Sequence, residues 1–380
     1  MKLLYIDNTL AIHGGIERVL TDKLNWLVDY GNCEVCLLIA NQGSHPIVFP
    51  LNPKVQCHNL GIMFHQVYRY SGWKRYHMLI RLHRLFRQHI SEKIQNFSPD
   101  IIVCTRLDCV PDVISVRWNI PIIYESHHSF LAYKFERYSW LQRLHVKIWH
   151  HALKKTQMIV SLTSGDALEW KKLTPNVQVI PNVVHLNDTG RYSDCCSKSI
   201  IFVGRYSYQK DIQSLLQIWE LVSQRHSEWQ LHIYGGYGDQ NDKLQSEKNN
   251  VRNNVFIHQP TNFIFEEYIN SSMLLMTSRF EPFGLVLPEA MSCGLPVVAF
   301  ECPYGPSDII SDGIDGFLIK NRNIVDYVDK VCLLMENENL RREMGKAGIK
   351  SSRRYEAKRV MPQWKQLFEQ LSINSSCQLL

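Results

Sequence analysis

The sequence predicts an α/β protein built from two doubly wound domains in tandem. Its 380 residues exceed one ordinary hydrophobic core, so two domains of roughly 150–200 residues are expected. Short apolar runs alternate with longer helical patterns, which is typical of parallel sheets covered by helices. Residues 179–183 and a polar stretch at 188–199 interrupt this alternation once. We therefore predict an N-terminal domain over residues 1–182 and a C-terminal domain over residues 183–357.

Five strands and one amphipathic helix are predicted for the first domain. The strands are the apolar runs at residues 3–6, 35–40, 101–104, 120–124 and 158–162. The helix covers residues 16–30, because apolar side chains recur there every three or four residues. Its apolar face comprises Ile16, Val19, Leu20, Leu24 and Leu27.

The second domain repeats the alternation. Strands are predicted at residues 199–203, 229–234, 255–257, 273–276 and 297–300, and helices at 212–225 and 287–291. Ligands of such sheets bind beyond the carboxyl ends of the strands. If the two domains face each other, the cleft between them is the expected site.

Charge is unevenly distributed over the two halves. Residues 1–180 carry 21 Lys and Arg against 13 Asp and Glu, whereas residues 181–380 carry 21 against 23. A basic half suits a phosphate-bearing partner, an anionic membrane or nucleic acid, although a solvated surface with an excess of cations explains it equally well. Because no nucleic-acid recognition motif is present and the excess is modest, no nucleic-acid partner is expected.

The predicted location is the cytoplasm, or the inner face of the membrane as a peripheral protein. Residues 1–6 predict a strand rather than a signal peptide, and no apolar run reaches the length of about 18 residues that a membrane span needs. The eleven cysteines are scattered, as expected in a reducing compartment. Cys33 and Cys36 lie in a predicted strand without a second Cys or His pair at zinc spacing, so no metal site is predicted.

Residues 63–90 form a basic segment without acidic residues. Its cations are Arg69, Lys74, Arg75, Arg81, Arg84 and Arg87. Leu79, Leu82, Phe86 and Ile90 recur at helical spacing beside them. Such a helix lies on an anionic membrane surface or, as an ordinary surface helix, packs its apolar stripe against the sheet. Both interpretations remain open.

The first candidate motif is the run His13-Gly14-Gly15-Ile16-Glu17-Arg18, between the first strand and the first helix. Paired glycines let a ligand approach the backbone, and a helix N-terminus offers free N–H groups to an anion. The spacing differs from that of the dinucleotide-binding fingerprint, and a plain turn is the alternative.

A second motif follows the first strand of the second domain. Gly204 permits a tight turn, and Arg205 and Lys210 bracket the loop after it. Two cations at a strand end can neutralise a diphosphate without a metal. The alternative is a solvated loop with two chance cations.

The third motif is the most informative. Glu281 and Glu289 are eight positions apart, with Gly284 between them, in the segment that follows the predicted strand at residues 273–276. If a helix begins near Gly284, its free N–H groups point at a ligand near Glu281, and Glu289 lies on that helix. Carboxylates accept hydrogen bonds from sugar hydroxyls. Two surface glutamates are the alternative, although acidic side chains in so apolar a segment need partners.

These motifs together resemble those of the family 4 retaining glycosyltransferases, which have the GT-B fold of two facing Rossmann-like domains. The segment from Phe280 to Ala290 resembles the E-x7-E signature of the family. Gly14-Gly15 resembles its N-terminal glycine loop, and Gly204-Arg205 with Lys210 resembles its diphosphate motif. The run Ile180-Pro181-Asn182-Val183 resembles its interdomain junction. The motifs occur in the order of the family over nearly the whole chain.

The resemblance implies a role for each matching residue. Gly14 and Gly15 would line the donor, and Arg205 and Lys210 would bind its diphosphate. Glu281 would contact the sugar hydroxyls and Glu289 the ribose. The backbone of Gly284, Leu285 and Val286 would donate to sugar or phosphate, and Gly235 and Gly236 would lie near the base. A histidine late in the first domain would lie near the reacting sugar; His127 is preferred over His128, and a structural role remains open for each. Asp211 departs from the glycine usual in the family.

The implied function is retaining transfer of a sugar from a nucleotide-diphosphate donor. A UDP-linked hexose or N-acetylhexosamine is the expected donor, and a glycan or polyprenyl-phosphate-linked molecule of surface polysaccharide biosynthesis is the expected acceptor. The first domain would bind the acceptor, the second the nucleotide sugar, and a C-terminal helix within residues 358–380 would cross back to the first. No metal or other cofactor is expected. The alternatives are a nucleotide-sugar 2-epimerase, another inverting GT-B enzyme, and a non-catalytic sugar-binding protein.

Overall fold

The computed structural model describes residues 1–131, 140–236 and 254–377. The chain divides into two compact units. The first comprises residues 1–183 together with the C-terminal helix, and the second comprises residues 184–356. The division thus falls one residue after the boundary predicted from the sequence.

The first unit contains a parallel sheet of seven strands in the order β3-β2-β1-β4-β5-β6-β7. The strands are β1 Lys2–Asp7, β2 Glu34–Ile39, β3 Gln56–Asn59, β4 Ile101–Cys104, β5 Ile122–Ser126, β6 Met158–Ser161 and β7 Val177–Val179. Its helices are α1 Gly15–Asp29, α2 Gly72–Phe97, α3 Val110–Val116, α4 Trp140–Leu153, α5 Ser164–Lys171 and the C-terminal α12 Ala357–Cys377. The short strands β3 and β7 were not predicted.

Hydrophobic cores cover both faces of this sheet. Alternate residues of β1 enter opposite cores, Leu3 and Tyr5 one of them and Leu4 and Ile6 the other. Helices α1 and α12 pack on the first face, and α2 and α3 on the second. Burial on both faces explains why the strands read as continuous apolar runs.

The second unit contains a parallel sheet of six strands in the order β10-β9-β8-β11-β12-β13. The strands are β8 Ser199–Val203, β9 Gln230–Tyr234, β10 Val255–His258, β11 Met273–Met276, β12 Val297–Phe300 and β13 Gly316–Ile319. Its helices are α6 Ile212–Arg225, α7 Ile264–Ile269, α8 Val286–Ser292, α9 Gly305–Ile309, α10 Ile324–Glu336 and α11 Glu338–Ser352. Two doubly wound parallel sheets confirm the predicted fold class.

Each sheet reverses its strand order beside its first strand. The reversal lies between β1 and β4 in the first unit and between β8 and β11 in the second. Connections on the two sides of such a point leave in opposite directions, which opens a crevice at the carboxyl ends of the strands. The loops that follow β8 and β11 are therefore the first place to look for a ligand site in the second unit.

The basic segment of residues 63–90 divides into two parts. It begins with a 3-10 turn at Phe64–Arg69 and continues into α2, which extends seven residues beyond the segment to Phe97. The second half of α2 buries Phe86, Ile90, Ile94 and Phe97 against the sheet, as an ordinary surface helix does. Its first turns are exposed instead. No helix among the described residues is both long and apolar enough to span a membrane.

Candidate active site

Lys210 and Glu281 meet at the carboxyl edge of the second sheet. Lys210 lies in the loop after β8, and Glu281 follows β11, the neighbouring strand. The Lys210 ammonium contacts Glu281 Oε1 directly, and Ser278 Oγ donates to the same oxygen over 2.7 Å. The side chains are 15% and 6% exposed, respectively. The pair therefore retains a narrow opening to solvent on the lysine side.

The backbone around this pair is fixed by neighbouring strand ends. Thr277 Oγ1 donates to the carbonyl oxygens of Lys210 and Asp211, over 3.0 and 3.1 Å. The Glu281 N–H donates to the Pro303 carbonyl over 2.7 Å. The two charged groups are thus held by three connected segments.

Asp211 shows how the chain accommodates its departure from the glycine of the family. Its φ is +50°, in the left-handed region that glycine adopts without strain. Its carboxylate lies 2.8 Å from the guanidinium of Arg279 and 2.5 Å from that of Arg322. Ser214 Oγ donates to it over 2.8 Å. The loop has the backbone conformation that favours glycine, and two arginines hold the side chain that replaces it.

Gly204 and Gly235 lie against each other at the ends of β8 and β9. A Cβ atom on Gly235 would lie 1.9 Å from the Gly204 carbonyl oxygen, closer than any real contact. A Cβ on Gly236 would meet Pro260 at 3.6 Å, an ordinary contact. A clash with the Gly204 carbonyl thus excludes any side chain at position 235. No such clash explains the glycine at position 236.

The turn into α8 presents free backbone donors. Gly284 has a φ of +98°, and the helix starts at Val286, one residue before the predicted range of 287–291 and two residues after Gly284. The N–H groups of Gly284, Leu285 and Val286 donate to no acceptor within the described residues. Glu289 lies on α8, where Tyr268 Oη donates to its carboxylate over 3.3 Å. Arg205 is exposed and forms no ion pair with any described residue.

The glycine pair of the first unit lies where the sequence suggests. Gly14 precedes α1 in an extended conformation, with a φ of −123°, and α1 begins at Gly15. A Cβ on Gly14 would meet only the flexible carboxylate of Glu17. Neither the backbone conformation nor the packing therefore requires glycine at position 14. Close approach of a ligand to the backbone is consistent with a glycine there.

His127 and His128 occupy contrasting environments after β5. His128 is exposed, whereas His127 is buried. His127 Nε2 lies 3.3 Å from Glu125 Oε1, and the same oxygen contacts the ammonium of Lys23 on α1. Burial alone would raise the pKa of the Glu125 carboxyl, but the charge of Lys23 and the neighbouring His127 imidazole outweigh it and lower this pKa to about 2.

Several of these neighbours were missed by sequence reasoning. Lys23, Arg279 and Arg322 were not singled out, and no motif marks Arg322. A signal for Lys23 existed, because position 23 follows Leu20 by three residues and precedes Leu27 by four. It therefore lies on the apolar stripe of α1, where a lysine needs a buried counter-charge.

Comparisons with known proteins agree with the geometry. A family model described as Glycosyltransferase Family 4 matches residues 13–188, and one described as Glycosyl transferases group 1 matches residues 196–351. The chain is 26% identical over 375 residues to the amylovoran biosynthesis glycosyltransferase AmsD of Erwinia amylovora, covering 96% of this chain and 98% of the relative. It is 24% identical over 361 residues to the lipopolysaccharide 1,6-galactosyltransferase of Salmonella typhimurium, covering 89% and 90%.

A solved structure supports the fold independently. A mutant of TarM from S. aureus, in complex with fondaparinux, alpha-GlcNAc-glycerol and UDP, matches with a TM-score of 0.79 at 18% identity. The match covers 97% of this chain and 99% of TarM. Because the two family models together span most of the chain and both sheets are doubly wound, the protein belongs to the family 4 glycosyltransferases, which have the GT-B fold.

Proposed function

We propose that this glycosyltransferase uses a nucleotide-diphosphate sugar, a UDP-linked hexose or N-acetylhexosamine, and extends a glycan or polyprenyl-phosphate-linked acceptor in surface polysaccharide biosynthesis. The observation that carries the donor class is the Lys210–Glu281 pair beside the free N–H groups at Gly284. Cationic and backbone donors together suit a diphosphate. The names of AmsD and of the Salmonella enzyme, and UDP in the TarM complex, support the substrate classes.

Departure of the nucleoside diphosphate is the step that these groups would assist. Negative charge develops on the leaving phosphate as the glycosidic bond breaks, and fixed cations and N–H groups lower that barrier. The Lys210 ammonium forms an ion pair with Glu281. A bound diphosphate would share this ammonium, and Arg205, exposed and without an ion pair among the described residues, would add a second cation.

Retention of configuration is the stereochemical part of the proposal. The acceptor hydroxyl would attack from the face that the diphosphate leaves, and a leaving phosphate oxygen would take its proton. Glu281 already contacts Lys210 and Ser278, which suits a carboxylate that orients sugar hydroxyls better than one that attacks the anomeric carbon. His127 would contact the reacting sugar. A retaining glycosidase would need a second carboxylate at short distance.

Metal independence is the second mechanistic part. No group of three or more His, Cys, Asp or Glu side chains within residues 1–131, 140–236 and 254–377 is arranged to hold a metal ion. The cations of the proposed diphosphate site would supply the charge that a divalent metal supplies elsewhere.

A donor screen in EDTA tests the donor, the site and the metal dependence together. Purified protein is mixed with a panel of nucleotide sugars and acceptor glycans, and nucleoside diphosphate release is measured. We expect one donor to be used, with activity lost in Lys210→Ala and Glu281→Ala. The matched control is Lys172→Ala, which removes a surface partner of Glu169. Activity that needs added metal would overturn metal independence, and free epimerised sugar without acceptor would indicate an epimerase.

Product stereochemistry provides a separate test of retention. The anomeric configuration of the product is read from its one-bond and vicinal NMR couplings. The same configuration as the donor is expected, and an inverted product would refute retention while leaving the donor site intact.

We also propose that the 3-10 turn at Phe64–Arg69 and the first turns of α2 bind an anionic membrane surface that carries the acceptor. Tyr68, Trp73 and Tyr76 are exposed, Trp73 to 78%, and Lys74 and Arg75 lie among them. Aromatic rings and cations on one exposed segment suit the interface between headgroups and acyl chains. This surface lies beyond the part of α2 that packs on the sheet.

Vesicle binding distinguishes this surface from a merely solvated one. Sedimentation with vesicles containing phosphatidylglycerol at low salt should capture the wild type, and Trp73→Ser with Arg75→Ser should weaken capture about tenfold or more. Trp118→Ser is the matched control, because Trp118 is also exposed on the first unit. Equal binding of all three proteins, or none by the wild type, would refute membrane attachment.

A further inference from the structure

A buried charged cluster lies at the carboxyl edge of the first sheet. It comprises Lys23 on α1, Glu125 at the end of β5, and His127 just beyond that strand. The side chains of Lys23 and Glu125 are only 2% and 1% exposed. Exposure to solvent therefore does not explain why two oppositely charged side chains occupy these positions.

Stability alone does not require this ion pair. Removing two charges from water costs more than their attraction returns in many proteins, and apolar side chains of similar volume serve as well or better. Leu20, Leu24 and Leu27 already surround this position on α1 with apolar packing. A fourth leucine-like residue, at position 23, would continue the stripe.

Lys23 connects three elements of the first unit. Its ammonium contacts Glu125 and lies 3.9 Å from the ring centroid of Trp364, which is on α12. Trp364 is itself buried, so the cation faces an aromatic ring rather than solvent. The position of the ammonium is thereby fixed from α1, β5 and α12 together.

The carboxylate has one well-defined task besides pairing with Lys23. Glu125 Oε1 lies 3.3 Å from His127 Nε2, close enough for an electrostatic interaction, although neither Nε2 nor Glu125 Oε2 has a hydrogen-bond partner among the described residues. Other charged groups near the imidazole are Asp7 and, beyond it, Arg106. The negative charge of a carboxylate this close to one ring nitrogen favours a proton on that nitrogen and opposes rotation of the ring away from it.

We infer that Lys23 and Glu125 are positioning residues for His127: the lysine fixes the carboxylate, and the carboxylate fixes the orientation and tautomer of the imidazole. The inference rests on the proposed function, in which His127 contacts the reacting sugar. It adds two residues that no sequence motif marks, and it couples the docking of α12, through Trp364, to the geometry of the histidine.

The test replaces the pair by uncharged side chains of similar volume. Lys23→Met combined with Glu125→Leu should fold, with a Tm within about 4 °C of wild type. Its kcat should fall about 10–100-fold with little change in the KM for the donor, because a misplaced group affects the transition state more than binding. Lys23→Gln with Glu125→Gln, which keeps polar contacts, should recover part of the loss and replaces the first variant if that does not fold. The control is Lys54→Met with Asp29→Leu, a surface pair in the same unit.

Histidine NMR gives a readout that does not depend on turnover. The ring 15N resonances of His127, assigned by their loss in His127→Gln, should show one tautomer with the proton on Nε2 in the wild type. In the uncharged pair they should show a mixture. Wild-type kcat in both uncharged pairs, or unchanged ring resonances, would overturn the inference. If no donor is turned over by the wild type, the proposed function fails and the NMR comparison still decides the positioning of His127.

Discussion

The two units each contain a lysine–glutamate pair at the carboxyl edge of a parallel sheet, and the pairs differ in their access to solvent. Lys210–Glu281 is held in loops after β8 and β11, with the lysine 15% exposed. Lys23–Glu125 joins a helix to a strand end, and neither side chain exceeds 2% exposure. The same two groups therefore serve different purposes. A pair with an opening can exchange its partner for a ligand, whereas a sealed pair can only fix the geometry of its neighbours.

Charge in the second unit is also more widely supported. The Asp211 carboxylate forms ion pairs with Arg279 and Arg322. Thr277 Oγ1 donates to the Lys210 carbonyl, and Ser278 Oγ donates to the Glu281 carboxylate. In the first unit the carboxylate depends on one lysine and one histidine. Removal of the lysine from the buried pair should therefore lower the stability of the first unit. Removal of the lysine from the pair in the second unit should lower activity more than stability.

Lys23→Met should show the largest loss of stability. It leaves Glu125 buried without its counter-charge, which costs about 3–5 kcal/mol in the free energy of unfolding. Urea denaturation measures this loss. Lys54→Met, which removes a surface partner of Asp29, should cost less than about 1 kcal/mol. A loss for Lys23→Met as small as that of the control would show that the buried pair contributes nothing.

Lys210→Met should instead show a large loss of activity. We expect nucleoside diphosphate release to slow by about 10²–10³-fold, because a cation aimed at the leaving group is removed. The loss of stability should be smaller than that of Lys23→Met, since the opening lets water reach Glu281. A variant that is strongly destabilised yet active would reverse the contrast between the two pairs.

Gly235→Ala should disturb the donor site through the backbone. The added Cβ would displace the Gly204 carbonyl and with it the loop to Lys210, at a cost of about 1–3 kcal/mol. Nucleoside diphosphate affinity, measured by calorimetry, should fall about tenfold. Gly236→Ala is the matched control, since its Cβ would make only an ordinary contact; equal effects at both positions would contradict the steric explanation.

Asp211→Asn should have a moderate effect on the donor site. Asparagine tolerates the left-handed backbone, so the substitution removes charge opposite Arg279 and Arg322 without changing the loop conformation. Hydrogen bonds to charged groups contribute about 1.5–3 kcal/mol, part of which Asn retains. Affinity for the nucleoside diphosphate should fall about threefold to tenfold. Unaltered affinity with lower stability would confine Asp211 to a structural role.

Acid should lower the free energy of unfolding of the first unit through protonation of Glu125. Over the pH range that can be measured, this is the smallest of the expected effects. The folded-state pKa of this carboxyl is lowered from 4.5 to about 2, so its stabilising contribution is complete above pH 4.5 and is lost as the pH falls towards 2. Unfolding free energies measured from about pH 5 to about pH 3 should fall more steeply in the wild type than in Lys23→Gln with Glu125→Gln. Parallel curves would contradict the lowered pKa.

Sequence patterns located the donor motifs because each follows a buried strand. Gly204 comes directly after the apolar run of β8 and Glu281 comes five residues after that of β11, and strand ends meet at one edge of a parallel sheet. Their roles with the donor stay predictions, as does the role of His127. The extension of α2 to Phe97 was missed, because Glu92, Lys93 and Gln95 dilute the apolar stripe after Ile90.

By itself the sequence determined the fold class, the two domains, the family and the strand-end position of the motifs, since periodicity and motif order are local properties of the chain. Only the tertiary structure decided which charges meet. Lys23 and Glu125 are 102 residues apart, and Asp211 and Arg322 are 111 residues apart. Such pairs form because the sheet order brings distant strand ends and helix faces together. Because these pairs are buried, each charge needs its partner to offset the cost of leaving water, and no local sequence pattern shows which partner that is.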